Sequence, residues 1–515
     1  MKSALVALAL TPLALASAPP PHAGGPGGKP GTPGKGPKEY VSSKKLQDLI
    51  KTKNLYEGAK ALQKIADKHG GNRAFGSGGH NGTVDYIYNT LKKTGYYDVV
   101  KQPFTEIFSE GTGALSVDGA DIAASIMTYT PSGEYSGPVV HVEGLGCTAA
   151  EFPAEVSGKV ALLSRGTCSF GEKAVAAKAA GAAGLIIYNN IPGSMAGTLG
   201  APFLDYAPVV SISQEDSVPI KERLAAGETV NIEFVVDATT EERVNYNVLA
   251  ETKMGDHNNV LVVGGHSDSV SAGPGINDDG SGTIGNLEVA VQLANFKVKN
   301  AVRFGFWGAE EFGLLGSYYY VNSLNGSDSE LSKIRAYLNF DMIASPNSIL
   351  GVYDGDGSAF GMVGPDGSDV LEKDFEEFFK SKKSPSVPTE FSGRSDYAAF
   401  IENGIPSGGL FTGAEVLKTE EEAKLFGGEA GVSYDPNYHK VGDDINNLDM
   451  GAFLINTKAI ANSIAKYALS FKSLPAVNLN QRRWSGDRQQ MLKRAGTHVH
   501  VHDGGVCGGG DRYSA

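Results

Sequence analysis

The 515-residue chain has only three cysteines, no excess of basic residues and no long apolar run. Three cysteines cannot build a disulfide scaffold. Acidic residues outnumber basic ones 58 to 45, for a formal net charge of −13, so the basic footprint that a nucleic-acid binder needs is missing. The most apolar segment, Ala4 to Ala16, is interrupted by Pro12 and is shorter than the ~20 residues of a membrane span, which excludes stable membrane insertion. Disorder is excluded as well, because 41% hydrophobic and 20% charged residues is a globular composition. Glycine is what the chain has in abundance: 67 residues, about 13%, against a usual ~7%. The length exceeds one ordinary domain and predicts two compact units plus tails.

The two ends differ from the rest. Residues 1–16 read as a secretory signal peptide: Lys2, the apolar run, then Ala14-Leu15-Ala16 as a small-x-small cleavage site. The mature protein is therefore expected outside the cell. Residues 17–38 are rich in Pro and Gly and predict a linker or pro-segment. Residues 475–515, with Arg482-Arg483, His498, His500, His502 and Gly508-Gly509-Gly510, predict a flexible tail; its alternating histidines read either as a metal-binding tract or as plain disordered chain. Between 38 and 474 there remain 36 basic and 55 acidic residues, a charge of −19, and 53 of the glycines. Acidity and glycine excess thus belong to the folded body.

Ser43 to His69 predicts one helical stretch with a Ser cap, stopped by Gly70-Gly71. Val84, Ile87, Tyr88 and Leu91 repeat with helical spacing, and Gly95 ends that helix. From 111 to 237 the style changes to a small α/β module: Gly158 to Leu163 as a strand, an Ala-rich helix from Glu172 to Ala180, and an apolar strand from Gly184 to Tyr188. After 244 come strands at Asn259–Val263, stopping at Gly264-Gly265, at Ala301–Trp307 and at Tyr337–Phe340, with helices at Gly282–Asn295 and Phe312–Asn322. This alternation predicts an α/β fold with a mixed, mostly parallel twisted sheet flanked by helices, into which the small module is inserted. Ligands of such sheets bind at the carboxyl ends of the strands.

Polar residues follow each of those three strand ends: His266 and Asp268 with the loop Asn277-Asp278-Asp279-Gly280, then Glu310-Glu311, then Asp341; Tyr438-His439 lies far downstream. Singly, each reads as a structural histidine, a helix cap or a solvated face. Together they bring histidines and several carboxylates to one sheet edge, where uncompensated negative charge is costly. A divalent metal neutralises it, and mixed imidazole and carboxylate donors suit zinc, with manganese or cobalt as alternatives. A carboxylate can bridge two ions about 3.5–4 Å apart. Adjacent Glu310 and Glu311 can divide metal binding and water binding between them. His266 and Asp268, two apart, point the same way in extended chain, so that Asp268 orients the imidazole.

The stretch Leu163-Ser164-Arg165-Gly166-Thr167-Cys168-Ser169-Phe170, with Ala180 to Gly184 and Pro208 to Ile212, resembles the protease-associated (PA) domain. The motifs Gly265-His266-Ser267-Asp268, Asn277-Asp278-Asp279-Gly280-Ser281-Gly282, Trp307 to Ser317, Asn339-Phe340-Asp341-Met342 and Tyr438-His439 look like those of the M28 family of dizinc aminopeptidases, whose secreted fungal members also carry that insert. The resemblance covers roughly residues 40 to 470. It implies a peptidase domain in two parts, 39–110 and 238–474, around a PA insert at 111–237. It implies two Zn2+ ions, bridged by Asp278, with His266 and Asp341 completing one site and Glu311 and His439 the other. Glu310 becomes the general base, Tyr438 an oxyanion donor and Arg394, in Ser392-Gly393-Arg394-Ser395-Asp396-Tyr397, a substrate contact. It also implies a disulfide between Cys147 and Cys168, the alternative being two free buried thiols, and makes Asp278–Asp279 a candidate cis peptide. In one place the chain departs from the family. Asp435-Pro436-Asn437-Tyr438-His439 has Asn where a Cys is usual, so a disulfide is absent and the His439 loop is expected to be looser.

The function implied is that of a secreted, zinc-dependent aminopeptidase. It would hydrolyse the first bond of peptides with a free N-terminus, with apolar residues such as Leu preferred, by a dizinc-activated water, and act as a monomer. A carboxypeptidase or dipeptidase on the same fold, a single-zinc glutaminyl cyclase and a metal-free receptor-like relative are the alternatives. Asn81 and Asn325 open glycosylation sequons.

Overall fold

The computed structural model describes residues 39–324 and 328–479, with two short paired segments at 501–502 and 505–506. The expected signal peptide, the linker to residue 38, His498, His500, Cys507 and the sequon at Asn325 lie outside the described residues.

Two helices, α1 (Ser43–Leu49) and α2 (Thr52–Lys68), replace the single stretch expected over 43–69. Ile50 and Lys51 are extended, and Ile50 is buried at 1% exposure, so burial of one side chain overrides the helical pattern. Helix α3 (Gly78–Thr94) begins at Ser77, whose side chain accepts the His80 N–H, and ends at Gly95 in the left-handed region, φ 65°, where only glycine is unstrained.

The main sheet has ten strands. Eight carry the argument: β1 (Tyr97–Val117), β2 (Asn231–Thr252), β3 (Asp256–His266), β4 (Asn300–Trp307), β5 (Ile334–Phe340), β6 (Gly351–Tyr353), β7 (Val387–Thr389) and β8 (Ser407–Phe411). Their order is β7-β6-β8-β5-β3-β4-β2-β1. Strand β3 runs parallel to β4 and to β5, and β5 parallel to β8, while β1 and β2 pair antiparallel. Helices α4 (Gly280–Leu293), α5 (Leu315–Leu324), α6 (Ser368–Ser381) and α7 (Met450–Tyr467) follow in the chain.

Period-two alternation in β3 shows why both faces are covered. Leu261 and Val263 join one core with Leu62, Ile284, Phe375 and Ile460 from α2, α4, α6 and α7. Val260 and Val262 join the other with Trp307, Tyr320 and Phe400. Strand β3 does not stop at Gly264-Gly265 as expected but continues to His266. These glycines serve close packing, not turning. A Cβ on Gly265 would strike the Phe340 carbonyl and Asp279, and one on Gly264 would meet Trp307 and Tyr337.

The long strands β1 and β2 pair without a break from Tyr97–Thr252 to Val117–Ile232, with Gly111 opposite Ala238. The chain between them forms the PA domain. Its six-stranded sheet centres on the parallel strands Val160–Ser164, Gly184–Tyr188 and Val209–Ile212. The helix expected at 172–180 spans Phe170–Ala179 and has a Ser169–Glu172 capping box. Cys147 and Cys168 are disulfide-bonded.

Candidate metal and catalytic site

The sheet has its switch point at β3: β4 lies on one side and β5 on the other. A crevice at the carboxyl ends of such strands is where α/β sheets hold ligands. His266 ends β3, Glu310 and Glu311 follow β4, and Asp341 follows β5. Asp278 sits just before α4. His439 comes from the loop that precedes α7.

These six side chains converge. His266 Nε2 lies 3.2 Å from Asp278 Oδ1, 3.6 Å from Asp341 Oδ1 and 3.8 Å from Glu310 Oε2. His439 Nε2 lies 3.0 Å from Asp278 Oδ2 and 3.0 Å from Glu311 Oε2. Asp278 therefore turns one oxygen to each imidazole. The Asp278–Asp279 peptide is cis. His266, Asp279 and Asp341 also bring ligand atoms within 4.8 Å of one another. Asp279 Oδ1, however, accepts the N–H groups of Gly282 and Met342, which makes Asp279 the cap of α4 and leaves Asp278 as the carboxylate shared by both histidines.

Asp268 Oδ1 accepts the Glu310 N–H at 3.1 Å and lies 3.7 Å from His266 Nδ1, too far for a direct hydrogen bond. It touches the base-bearing loop more closely than the imidazole it was expected to orient. Ser395 donates to Asp341 Oδ2 at 2.5 Å. The Tyr438 ring stacks on His439, centroids 3.7 Å apart, and its hydroxyl accepts from Arg394 at 3.2 Å. Arg394 also pairs with Glu415 at 2.7 Å. Asn81, the remaining sequon, is exposed on the first turn of α3 and remote in role from this cluster.

The electrostatics show a surplus of buried negative charge. Burial opposes a charge on His439, yet Glu311 and Asp278 push it up to about 10. Burial likewise opposes His266, which Glu310 and Asp341 hold well above the usual histidine range. Burial raises Glu310 well above an ordinary carboxyl; His266 opposes this and Glu311 and Asp341 reinforce it. Glu311 Oε1 is buried with no hydrogen-bond partner. Two imidazoles and four carboxylates, one of them with an orphaned oxygen, are a donor set that fits divalent zinc.

Several supporting residues carried no sequence signal. Arg73 is fully buried. It donates Nε to the Pro274 carbonyl at 2.8 Å and its two terminal nitrogens to the Ser267 and Gly275 carbonyls at 2.5 Å. One guanidinium thus ties the His266 loop to the Asp278 loop. His80 reaches Ser267 Oγ at 2.9 Å. Asp443 accepts the N–H groups of Asn277 and Asp278. Ala309, Met342 and His439 adopt positive φ, 58°, 48° and 56°, conformations that cost a non-glycine residue ~1–2 kcal/mol; all three are at or beside the converging side chains. The His439 loop is tied without a disulfide. Asn437 donates to Asn447 at 2.8 Å, and Asp435 accepts from Asn277 and Asn447.

A small cavity of about 80 Å3 opens over the cluster. Met342, Tyr353, Phe411 and Ala414 form its apolar wall, and Glu390, Arg394 and Tyr438 its polar side.

Residues 247–464 match the family model Peptidase family M28, and residues 135–220 match the PA domain. Probable leucine aminopeptidase 2 of Aspergillus fumigatus is 53% identical over 473 residues, 91% of this chain and 93% of the relative. Leucine aminopeptidase 2 of Arthroderma otae is 51% identical over 465 residues, 90% of this chain and 93% of the relative. Among solved structures, an aminopeptidase from Aneurinibacillus sp. strain AM-1 superposes with a TM-score of 0.60 at 27% identity, covering 85% of this chain and 97% of that one. A zinc aminopeptidase from Bacillus subtilis gives 0.56 at 27% identity, covering 83% and 97%.

Proposed function

As the chain belongs to peptidase family M28, we propose that it is a secreted aminopeptidase that removes apolar residues such as Leu from the N-terminus of peptides and works with two zinc ions. The observation that carries this reading is the placement of Asp278 between the two imidazoles, 3.2 Å from one and 3.0 Å from the other. His266 and Asp341 would hold one ion and His439 and Glu311 the other, with Asp278 common to both. Zinc at such a centre lowers the pKa of a water and polarises a carbonyl.

The chain's own residues do the rest. Glu310, buried beside His266, takes the proton of the attacking water and passes it to the leaving amine. Asp268 fixes the Glu310 backbone through its N–H. Tyr438, held by stacking on His439 and by Arg394, presents its hydroxyl to the developing oxyanion. The apolar wall of Met342, Tyr353, Phe411 and Ala414 supports an apolar first residue, and the carboxylates around the cavity support a free α-amine. The carboxypeptidase alternative requires a cation free for the substrate carboxylate; the arginine on the cavity, Arg394, is already paired with Glu415.

The test is zinc content per chain together with hydrolysis of Leu-anilide and its N-acetylated analogue. Two zinc ions and cleavage of only the free-amine substrate are expected. Equal cleavage of the blocked analogue would remove the aminopeptidase reading, and one ion per chain would remove the dizinc one.

A further inference from the structure

A second group of carboxylates gathers away from the proposed catalytic centre, just past the carboxyl end of β6. Asp354 follows Tyr353, Asp356 lies two residues on, and Glu372 comes from α6; oxygens of all three lie within 4.8 Å of one another. Asp354 is 1% exposed and Glu372 8%, while Asp356 faces solvent. Backbone amides occupy one oxygen of each. Ala359 and Phe360 donate to Asp354 Oδ2 at 3.1 and 2.8 Å, Gly355 and Asp356 to Glu372 Oε2 at 2.9 and 3.0 Å, and Ser358 to Asp356 Oδ1 at 2.8 Å.

One of the remaining oxygens stands out. Asp354 Oδ1 is buried with no hydrogen-bond partner, a costly state for a carboxylate oxygen. Among the described residues no lysine, arginine or histidine forms an ion pair with any of the three. The cluster thus carries more negative charge than its surroundings balance.

We infer that Asp354, Asp356 and Glu372 form a calcium site, separate from the zinc-type centre. The donors are all hard carboxylate oxygens, with none of the imidazole or thiolate that zinc prefers. A pair of buried carboxylates plus one from an exposed turn, open to water on that side, suits the six to eight oxygen ligands and flexible geometry of Ca2+ better than the strict octahedron of Mg2+. The site also has a mechanical consequence. Tyr353, the residue before Asp354, lines the catalytic cavity and stacks on Phe391 with centroids 4.8 Å apart. A cation bound behind it fastens that wall. The site shares no ligand with the proposed zinc centre, so it stands or falls independently of the proposed activity.

Calcium titration of the zinc-loaded full chain, followed by calorimetry and by thermal unfolding, tests it. One saturable site per chain is expected, half-filled at or below ~1 mM, the range of extracellular calcium modules, with Tm rising as the site fills. Asp356→Asn, an exposed change that leaves folding intact, should weaken binding at least tenfold. Asp354→Asn combined with Glu372→Gln should abolish both responses, and Glu310→Gln should keep them. No saturable heat and no Tm shift at ~10 mM calcium, a response unaltered in Asp356→Asn, or an equal response to magnesium would each overturn the assignment.

Discussion

Among the described residues two large sheets have parallel strands that end in loops, and only the ten-stranded one gathers a cluster of histidines and carboxylates there. In the PA domain, parallel strands Val160–Ser164, Gly184–Tyr188 and Val209–Ile212 end in loops, as β3, β4 and β5 do. Past those ends lie Arg165 and Asn189, and they satisfy each other and local backbone. Arg165 approaches Asn189 Oδ1 at 3.4 Å, and Asn189 Nδ2 donates to the Gly193 and Ser194 carbonyls. Past the ends of β3, β4 and β5, by contrast, buried carboxylates face imidazoles and each other. Parallel strands that end in loops are common to both regions, but the PA strands lie side by side in chain order and only the catalytic sheet reverses at a switch point. The catalytic sheet also carries a surplus of buried charge, which is costly without a compensating cation.

The largest expected effect sharpens that contrast. Glu310→Gln keeps the shape of the side chain but removes the base. kcat on Leu-anilide should fall by about three orders of magnitude, with zinc content unchanged. Asn189→Ala, at the matching position of the PA sheet, should leave kcat within about twofold, as expected for a structural polar residue outside the site. If the two variants behave alike in steady-state kinetics, the contrast between the sheets has no functional meaning.

Next in size is Arg73→Met. The guanidinium satisfies the Ser267, Pro274 and Gly275 carbonyls and sits among Asp268, Asp443, Asp279 and Asp278. Replacing it by an apolar chain strands three carbonyls and four buried carboxylates, a loss of about 3–4 kcal/mol in urea unfolding, together with loss of zinc on dialysis. Arg73→Lys should not rescue it, because a single ammonium cannot reach two loops in fork geometry. Wild-type stability in the Met variant would show that Arg73 is not what joins the ligand loops.

Arg73 also marks the limit of what the sequence discloses. The parallel strands, the helices on both faces and the polar residues at strand ends are legible because each depends on local periodicity or on a motif of adjacent residues. His266, Asp278, Glu310, Glu311, Asp341 and His439 can be proposed together because each follows a recognisable strand or motif. Arg73 and Asp443 lie in loops and His80 on the first turn of α3, and their roles exist only after residues 165 to 194 positions apart meet. The break at Ile50 and the continuation of β3 through Gly264-Gly265 were equally hidden. One depends on a tertiary pocket for Ile50, and the other on how closely Phe340 and Trp307 approach the strand.

On the PA side, the Cys147–Cys168 bridge closes a 21-residue separation. Replacing both cysteines by Ser should cost about 3 kcal/mol by the loop-entropy relation. The cost should appear as an earlier unfolding step and as faster proteolytic nicking between 140 and 210, while kcat on Leu-anilide stays near wild type. A fall in kcat that tracks the destabilisation would mean that the two sheets are energetically one unit, and would break the separation on which the comparison rests.

The smallest expected effect lies under the catalytic sheet and depends on pH. His80 is fully buried against Ser267. Burial, opposed by Asp268 and aided by Arg73, lowers its pKa to about 4, whereas the unfolded chain titrates near the ordinary ~6.5. Between these values the unfolded state binds the extra proton, so this contribution to stability is complete above about pH 6.5 and is lost as pH falls toward 4. At pH 5.5 the loss is about 1 kcal/mol. Urea midpoints of wild type and His80→Gln, measured at pH 7 and pH 5.5, isolate it. The drop between the two pH values should be smaller in the variant by about that amount, because glutamine cannot take up the proton. The PA domain has no fully buried histidine among its described residues, so its nicking rate should change little over the same range. An equal pH response in both proteins would mean that His80 does not titrate there, and that any acid sensitivity of the catalytic sheet comes from the carboxylates at its strand ends.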